Sequence, residues 1–350
     1  MQFSTYENSG QRNTLGFENN GARGRTPSQA RDAFRRENVD PMIKIIVARL
    51  LQLIPVLLIL LTLTFFLSKE APGGPFSQER QASPEVIQKL NAYYGLDKPL
   101  WEQYAGYLQK VIRLDFGPSY SYPTESVNEV ILRAFPISLQ IGALALGIAL
   151  VIGITAGTIA AVNKNTVLDY LPMSLAMAGI CFPTFVMGPI LALVFGLRLN
   201  LAPVSGWYGL EYTPLPPMVL PAVTLGLFYS AYVARLTRGG MLDVLTQDFI
   251  RTAKAKGVPS HQIIFKHAMR GGLLPVVSFL GPALAGLITG SFVVEKVFNV
   301  PGLGQEFIKS VFNRDYPLIF GTVVFYGALI VFFNLVSDVV QLALDPRTRR

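Results

Sequence analysis

The chain has 350 residues, of which 51% are hydrophobic and only 15% charged, and its formal net charge is +8. Soluble domains carry about 25% charged residues, so this composition argues against a water-soluble globular protein and for a bilayer as the solvent. The lone cysteine, Cys181, sits in an apolar run, excludes an intrachain disulfide and leaves the redox compartment open.

Residues 1–41 are rich in Asn, Gly and Arg and nearly free of apolar periodicity, which predicts a disordered tail. The tail is too polar and too long for a cleavable signal peptide. Met42-Ile43-Lys44-Ile45 reads as an alternative start.

Six long runs nearly free of charge come next. They predict spanning helices over about 47–68, 136–163, 170–197, 212–236, 271–294 and 317–342. A spanning helix needs about 20 apolar residues, and these runs do not alternate as barrel strands would. The fold class expected is an all-α membrane protein with six transmembrane helices and both termini on one face.

Charge assigns that face. The side holding both termini, the 164–169 turn and the 235–270 loop has 19 Lys/Arg against 9 Asp/Glu, and the other side has 11 against 12. Basic loops stay in the cytoplasm, so both termini are expected there. The +8 charge then reports topology rather than nucleic-acid binding.

Proline and glycine interrupt two spans. The third holds Pro172, Pro183 and Pro189, and the fifth holds Pro275, Gly281, Pro282, Gly286 and Gly290. Proline kinks a helix, and small residues let helices approach closely. A bent wall around a translocation path and ordinary tight packing both fit. Asp338, near the end of the last run, fits an interfacial position. No mid-membrane chain of Asp, Glu, His or Arg suggests a proton-coupled carrier or a voltage sensor.

The loop 239–272 carries the sharpest signal. Leu242, Leu245, Phe249, Ile250 and Ala253 fall on one helical face. Gly257 suits a helix end, and Pro259 suits the first turn of a second helix with Ile263, Ile264, Phe265 and Ala268 available for packing. The loop therefore predicts a helical hairpin. It serves either as a dock for a cytoplasmic protein or as a basic amphipathic element lying on anionic lipid.

Asp248-Phe249-Ile250-Arg251-Thr252-Ala253-Lys254-Ala255-Lys256-Gly257, followed by His267-Ala268 and Leu273-Leu274-Pro275, resembles the coupling loop of ABC-importer permeases, in the form usual for the di- and oligopeptide branch. Arg251 and Thr252 stand where the general Glu-Ala-Ala pattern has Glu and Ala. Ala71-Pro72-Gly73-Gly74-Pro75-Phe76, Tyr94-Gly95-Leu96-Asp97, Asp115-Phe116-Gly117-Pro118-Ser119, Glu295 through Gly304, and Asp345-Pro346-Arg347 resemble further segments of the same branch. The similarity covers Met42 to Arg350 and is greatest to the first permease of an oligopeptide system.

The resemblance implies a permease passing oligopeptides across the inner membrane. Asp248, Phe249, Ile250, Arg251, Thr252, Ala253, Lys254, Ala255, Lys256 and Gly257 would form the ATPase-coupling loop. The implied partners are a second homologous permease, two cytoplasmic ATPase subunits, an external peptide-binding protein and membrane lipid. Dipeptides, nickel or another small solute are alternative cargoes, and a stand-alone channel or ion-coupled carrier is the rival class.

No Gly-x-x-x-x-Gly-Lys-Ser/Thr loop occurs, so this chain is expected to bind no cofactor itself, with ATP and Mg held by partner ATPases. It is expected to be a transport subunit and not an enzyme. Asp115-Phe116-Gly117 lacks the other kinase motifs. His261 and His267 are six residues apart, off one helical face, so a metal site is not expected.

Overall fold

The computed structural model describes residues 27–70, 84–122, 124–208, 213–289 and 291–344. Among them every long element is helical, and the one β-contact is an isolated bridge between Pro118 and Ser126. The helices are α1 (Pro27–Glu70), α2 (Pro84–Tyr94), α3 (Leu100–Ile112), α4 (Val127–Val162), α5 (Val167–Cys181), α6 (Thr184–Leu191), α7 (Val219–Leu245), α8 (Asp248–Ala255), α9 (Ser260–Gln262), α10 (Met269–Gly272), α11 (Leu274–Thr289), α12 (Phe292–Val297), α13 (Leu303–Asn313) and α14 (Tyr316–Leu344). Wider π turns occupy Ala192–Arg198 and Ile263–Ala268. The chain divides into two units, Met1–Lys44 and Ile45–Arg350, and the second holds all the candidate membrane spans found among the described residues.

In the N-terminal stretch, residues 1–26 lie outside the described residues. The backbone of 27–41 is helical and belongs to α1. Pro27 opens the helix with its fixed φ, and Ala30, Arg31, Ala33, Arg35 and Arg36 are good helix formers. Ala71 to Phe76 and Asp345 to Arg347 also lie outside the described residues.

Five helical stretches are long and apolar enough to cross a membrane: Ile46–Glu70, Val127–Val162, Val219–Leu245, Leu274–Val297 and Tyr316–Ala343. The bent pair Val167–Cys181 and Thr184–Arg198, whose halves meet at 104°, brings the number to six when counted as one span. The third span, in which proline predicts a kink, is broken at Phe182-Pro183. Phe182 takes extended backbone, φ −86° and ψ 117°, as a residue before proline must to avoid its ring.

Two other boundaries move for local reasons. The helix α4 starts at Val127, ahead of the expected 136, because Ser126 caps it: Ser126 Oγ accepts from the Glu129 N–H, and Glu129 Oε2 accepts from the Ser126 N–H at 2.7 Å. The apolar run predicts a span over 212–236, but α7 runs from Val219 to Leu245. Pro214, Pro216 and Pro217 delay its start, and Arg235 and Arg238 sit on its polar end without breaking it. Leu242 and Leu245 therefore belong to α7 and not to the loop helix.

The interior is organised around α4 and α7, which pack along their length. At Gly157 a Cβ would strike the Ala234 carbonyl and the Thr237 side chain, so the two backbones touch there. The interrupted fifth span is tight packing at two of its small residues: Gly281 lies against Phe333 and Ser337 of α14, and Gly286 lies under the Tyr229 hydroxyl of α7. α5 packs against both α4 and α7 and borders an apolar cavity of about 450 Å³ lined by Ile152, Pro172, Phe182 and Leu227.

Candidate coupling hairpin and its supports

The segment between α7 and α11 folds as a compact hairpin on the ends of α4 and α7. Asp248 in the first turn of α8 and Lys254 in its last turn complement the helix dipole. Ile250 is fully buried among Ala161, Met241, Val244, Ile263 and Ala268. One side chain thereby joins the loop helix to two spans and to the hairpin's second arm.

The end of α8 is set by Gly257. Its φ is +74°, and the Gly257 N–H donates to the Lys254 carbonyl while the Val258 N–H donates to the Ala253 carbonyl, at 3.0 and 3.1 Å. This is a Schellman closure, and Val258 supplies its apolar contact by packing into the hairpin core. Pro259 stands just ahead of α9 rather than inside it.

Two classes of side chain emerge from the ten expected coupling residues. Ile250 is buried and Ala253 half-buried, so these hold the hairpin together. Asp248, Phe249, Arg251, Thr252, Lys254, Ala255, Lys256 and Gly257 are exposed. Phe249 is 46% exposed, and Phe265 on the second arm is 68% exposed. The Arg251 to Asp248 ion pair, 3.5 Å and solvated, contributes little. Thr252 Oγ1 donates to the Asp248 carbonyl at 3.0 Å. The outward surface thus combines two aromatic rings with Arg251, Lys254 and Lys256.

The hairpin's base is rigid. Gly240 of α7 meets the Gly272 carbonyl backbone to backbone, and Met241 packs over Gly272. Close by, Arg238 of α7 donates two hydrogen bonds to Asp169 at the start of α5, Nε to Oδ1 at 2.6 Å and a terminal nitrogen to Oδ2 at 2.7 Å. Asp169 also accepts from the Asn165 N–H at 2.9 Å and is almost fully buried. Asp338 pairs with Arg49 of α1 at 2.7 Å, so it binds the last span to the first as well as lying near an interface. Sequence reasoning missed both pairings, because their partners are 69 and 289 residues apart.

At the opposite end of the bundle, the segment Glu295 to Gly304 wraps around one carboxylate. Glu295 is fully buried and accepts from Ser138 Oγ at 2.7 Å, Ser291 Oγ at 2.6 Å and the Gln305 N–H at 3.0 Å. Ser138 Oγ in turn accepts from the Leu303 N–H at 2.8 Å. α4, α12 and the start of α13 are thereby locked together. Nearby, the Tyr122 hydroxyl donates to Glu306 at 2.7 Å; burial, and then that bond, raise its pKa well above the usual tyrosine value.

Known proteins share this architecture. The family model described as "Binding-protein-dependent transport system inner membrane component" matches residues 153–350, and its N-terminal companion matches residues 42–142. The chain is 46% identical over 308 residues to the oligopeptide transport system permease protein OppB of Haemophilus influenzae, covering 88% of this chain and 100% of the relative. It is 45% identical to OppB of Salmonella typhimurium, with the same coverage. It is 44% identical to the dipeptide transport system permease protein DppB of Bacillus subtilis, covering 88% and 98%. Among solved structures, inward-facing MetNI methionine ABC transporter aligns with a TM-score of 0.53 at 16% identity, over 62% of this chain and 96% of that one, which speaks to fold alone. The resemblance read from the motifs is borne out: the chain belongs to the inner membrane components of binding-protein-dependent transport systems and is a multi-pass transport subunit rather than an enzyme.

Proposed function

We propose that this chain is one of two paired permeases of an ATP-driven importer and forms part of the path for oligopeptides across the cytoplasmic membrane. Its hairpin, residues 246–272, is the element that ATPase subunits grip. The observation that carries this reading is the division of labour within α8: Ile250 welds the helix to α4 and α7, while Phe249, Arg251, Lys254 and Lys256 face outward.

A hairpin attached this way transmits force. Displacing it displaces α7 through the Gly240 to Gly272 contact, and α5 through Asp169 and Arg238. ATP, with Mg, binds the partner ATPases and favours their closed pair; the differential affinity for closed and open pairs shifts the membrane subunits between two states. Phe249 and Phe265, both exposed, give the hairpin an apolar contact surface of the kind buried at protein interfaces.

The basic residues of the hairpin support a cytoplasmic position for both termini and for the coupling face. An external binding protein delivers substrate to the other face. Oligopeptides lead as cargo because the relatives named for them are the nearer in identity, with dipeptides as the second reading. The test is ATP-dependent uptake by the complete reconstituted transporter, using labelled peptides of two to six residues. Uptake of peptides longer than two residues is expected. Uptake of dipeptides alone, or of no peptide, would overturn the cargo assignment.

A further inference from the structure

A cavity of about 220 Å³ opens at the end of the bundle opposite the coupling hairpin, between the last turn of α1, the α2–α3 pair and the first turn of α14. Three lysines line it: Lys69 from α1, Lys98 from the turn after α2, and Lys110 from α3. Glu102 is the carboxylate among its lining residues, and no ion pair joins Glu102 to any of the three among the described residues. Among the described residues that line the cavity, lysines outnumber carboxylates three to one.

The lysine at its inner wall is held in place. Lys69 Nζ donates to Gln103 Oε1 at 2.6 Å and lies 5.2 Å from the centre of the Tyr316 ring. The Gln103 amide is itself fixed by donating to the Leu96 and Lys98 carbonyls, at 3.0 and 2.7 Å. Lys110 Nζ reaches over Gly117, 3.2 Å from where a Cβ would sit. Two external segments singled out from the sequence meet here. Tyr94-Gly95-Leu96 forms one wall, and Phe116, beside Gly117, forms another. Neither has a part in the coupling hairpin.

Position selects the ligand. Lys69 occupies the last turn of a membrane-spanning helix, the depth at which lipid headgroups lie. On the same helix Leu63, Phe66 and Leu67 are 55%, 48% and 68% exposed, an apolar surface along which acyl chains can run up to the cavity. Aromatic and lysine side chains together suit a membrane interface, with apolar bodies and polar ends. We propose that this cavity binds the phosphate of an anionic phospholipid headgroup and so anchors the α2–α3 pair to the leaflet on the side opposite the hairpin.

The test uses the assembled transporter in detergent, titrated with phosphatidylglycerol or with phosphatidylcholine and read by native mass spectrometry. Retention of phosphatidylglycerol above phosphatidylcholine is expected. Lys69→Gln with Lys110→Gln should weaken phosphatidylglycerol at least tenfold and leave phosphatidylcholine unchanged. The single variants Lys98→Gln and Lys110→Gln alter exposed side chains and spare the fold; each should weaken it about threefold. Equal retention of the two lipids, or unchanged retention in all variants, would overturn the proposal. Inorganic phosphate binding as tightly as phosphatidylglycerol would instead assign the site to a free anion, and displacement of the lipid by an acidic peptide would assign it to peptide. Either result contradicts the lipid assignment while leaving the transport reading intact, because peptide uptake is measured separately.

Discussion

Asp169 and Arg238 form a two-bonded ion pair, 2.6 and 2.7 Å, that joins the first turn of the broken third span to α7 two turns before the 246–272 hairpin. Charge-assisted pairs of this kind bring geometric specificity as well as energy. Asp169→Asn should remove about 1.5–3 kcal/mol of local stability and lower uptake more than membrane abundance. The exchange Asp169→Arg with Arg238→Asp should recover part of the uptake lost in either single variant. The comparison is labelled-peptide uptake normalised to protein in the membrane; absence of any recovery would show that each residue acts alone.

Ile250 and Phe249 are adjacent in sequence but have different jobs. Ile250→Ala empties a fully buried position, at a cost of about 2–5 kcal/mol, and should free α8 from α7, exposing the hairpin to protease. Phe249→Ala changes an exposed ring and should leave protease resistance and abundance unchanged while reducing recovery of ATPase subunits. Limited proteolysis and co-purification together separate the two effects. Similar behaviour of both variants in both assays would contradict the division between packing and docking faces.

Glu295 gathers donors from Ser138, Ser291 and the Gln305 backbone in a fully buried site. Glu295→Ala leaves these donors unpaired, at roughly 1–3 kcal/mol each, and should sharply reduce the amount of folded subunit. Glu295→Gln keeps one acceptor oxygen and should be milder. Thermal melting of the detergent-solubilised complex measures the difference, and equal melting temperatures would show that the network is not a structural support.

Much of this architecture is legible in the chain. Continuous apolar runs mark five of the crossings, since only helices satisfy their own backbone in lipid. Gly257 announces the end of α8 because the left-handed backbone it adopts there, at φ +74°, strains any residue with a Cβ. The start of α7 is misplaced because an apolar run does not reveal that Pro214, Pro216 and Pro217 hold the chain out of helix. The break at Phe182-Pro183 is hidden for the opposite reason: prolines inside membrane helices usually kink them, and only the surrounding packing turns a kink into a 104° corner. The supporting pairs, Asp169 with Arg238 and Arg49 with Asp338, depend on tertiary proximity and carry no local signal.

Orientation has its own test. Reporter fusions after residues 120 and 305 should read extracytoplasmic, and a fusion after residue 255 cytoplasmic, because Arg251, Lys254, Lys256, Lys266 and Arg270 cluster in the hairpin. A cytoplasmic signal at 120 or 305 would invert the topology and remove the hairpin from the reach of any cytoplasmic ATPase.

The claim that the hairpin couples ATPases to transport is tested most directly by Gly257→Asp and Ala253→Glu in the complete transporter. A side chain at Gly257 meets no neighbour within 4 Å, so its cost is backbone strain of about 1 kcal/mol or more. Ala253 is half-buried in the hairpin core, where a glutamate has no partner. Both positions lie in the hairpin and not in a membrane-crossing helix. ATPase co-purification and peptide uptake are measured at matched membrane abundance. The account predicts normal abundance with ATPase subunits lost, or retained and hydrolysing ATP without moving peptide. Normal ATPase recovery and normal uptake in both variants would contradict it.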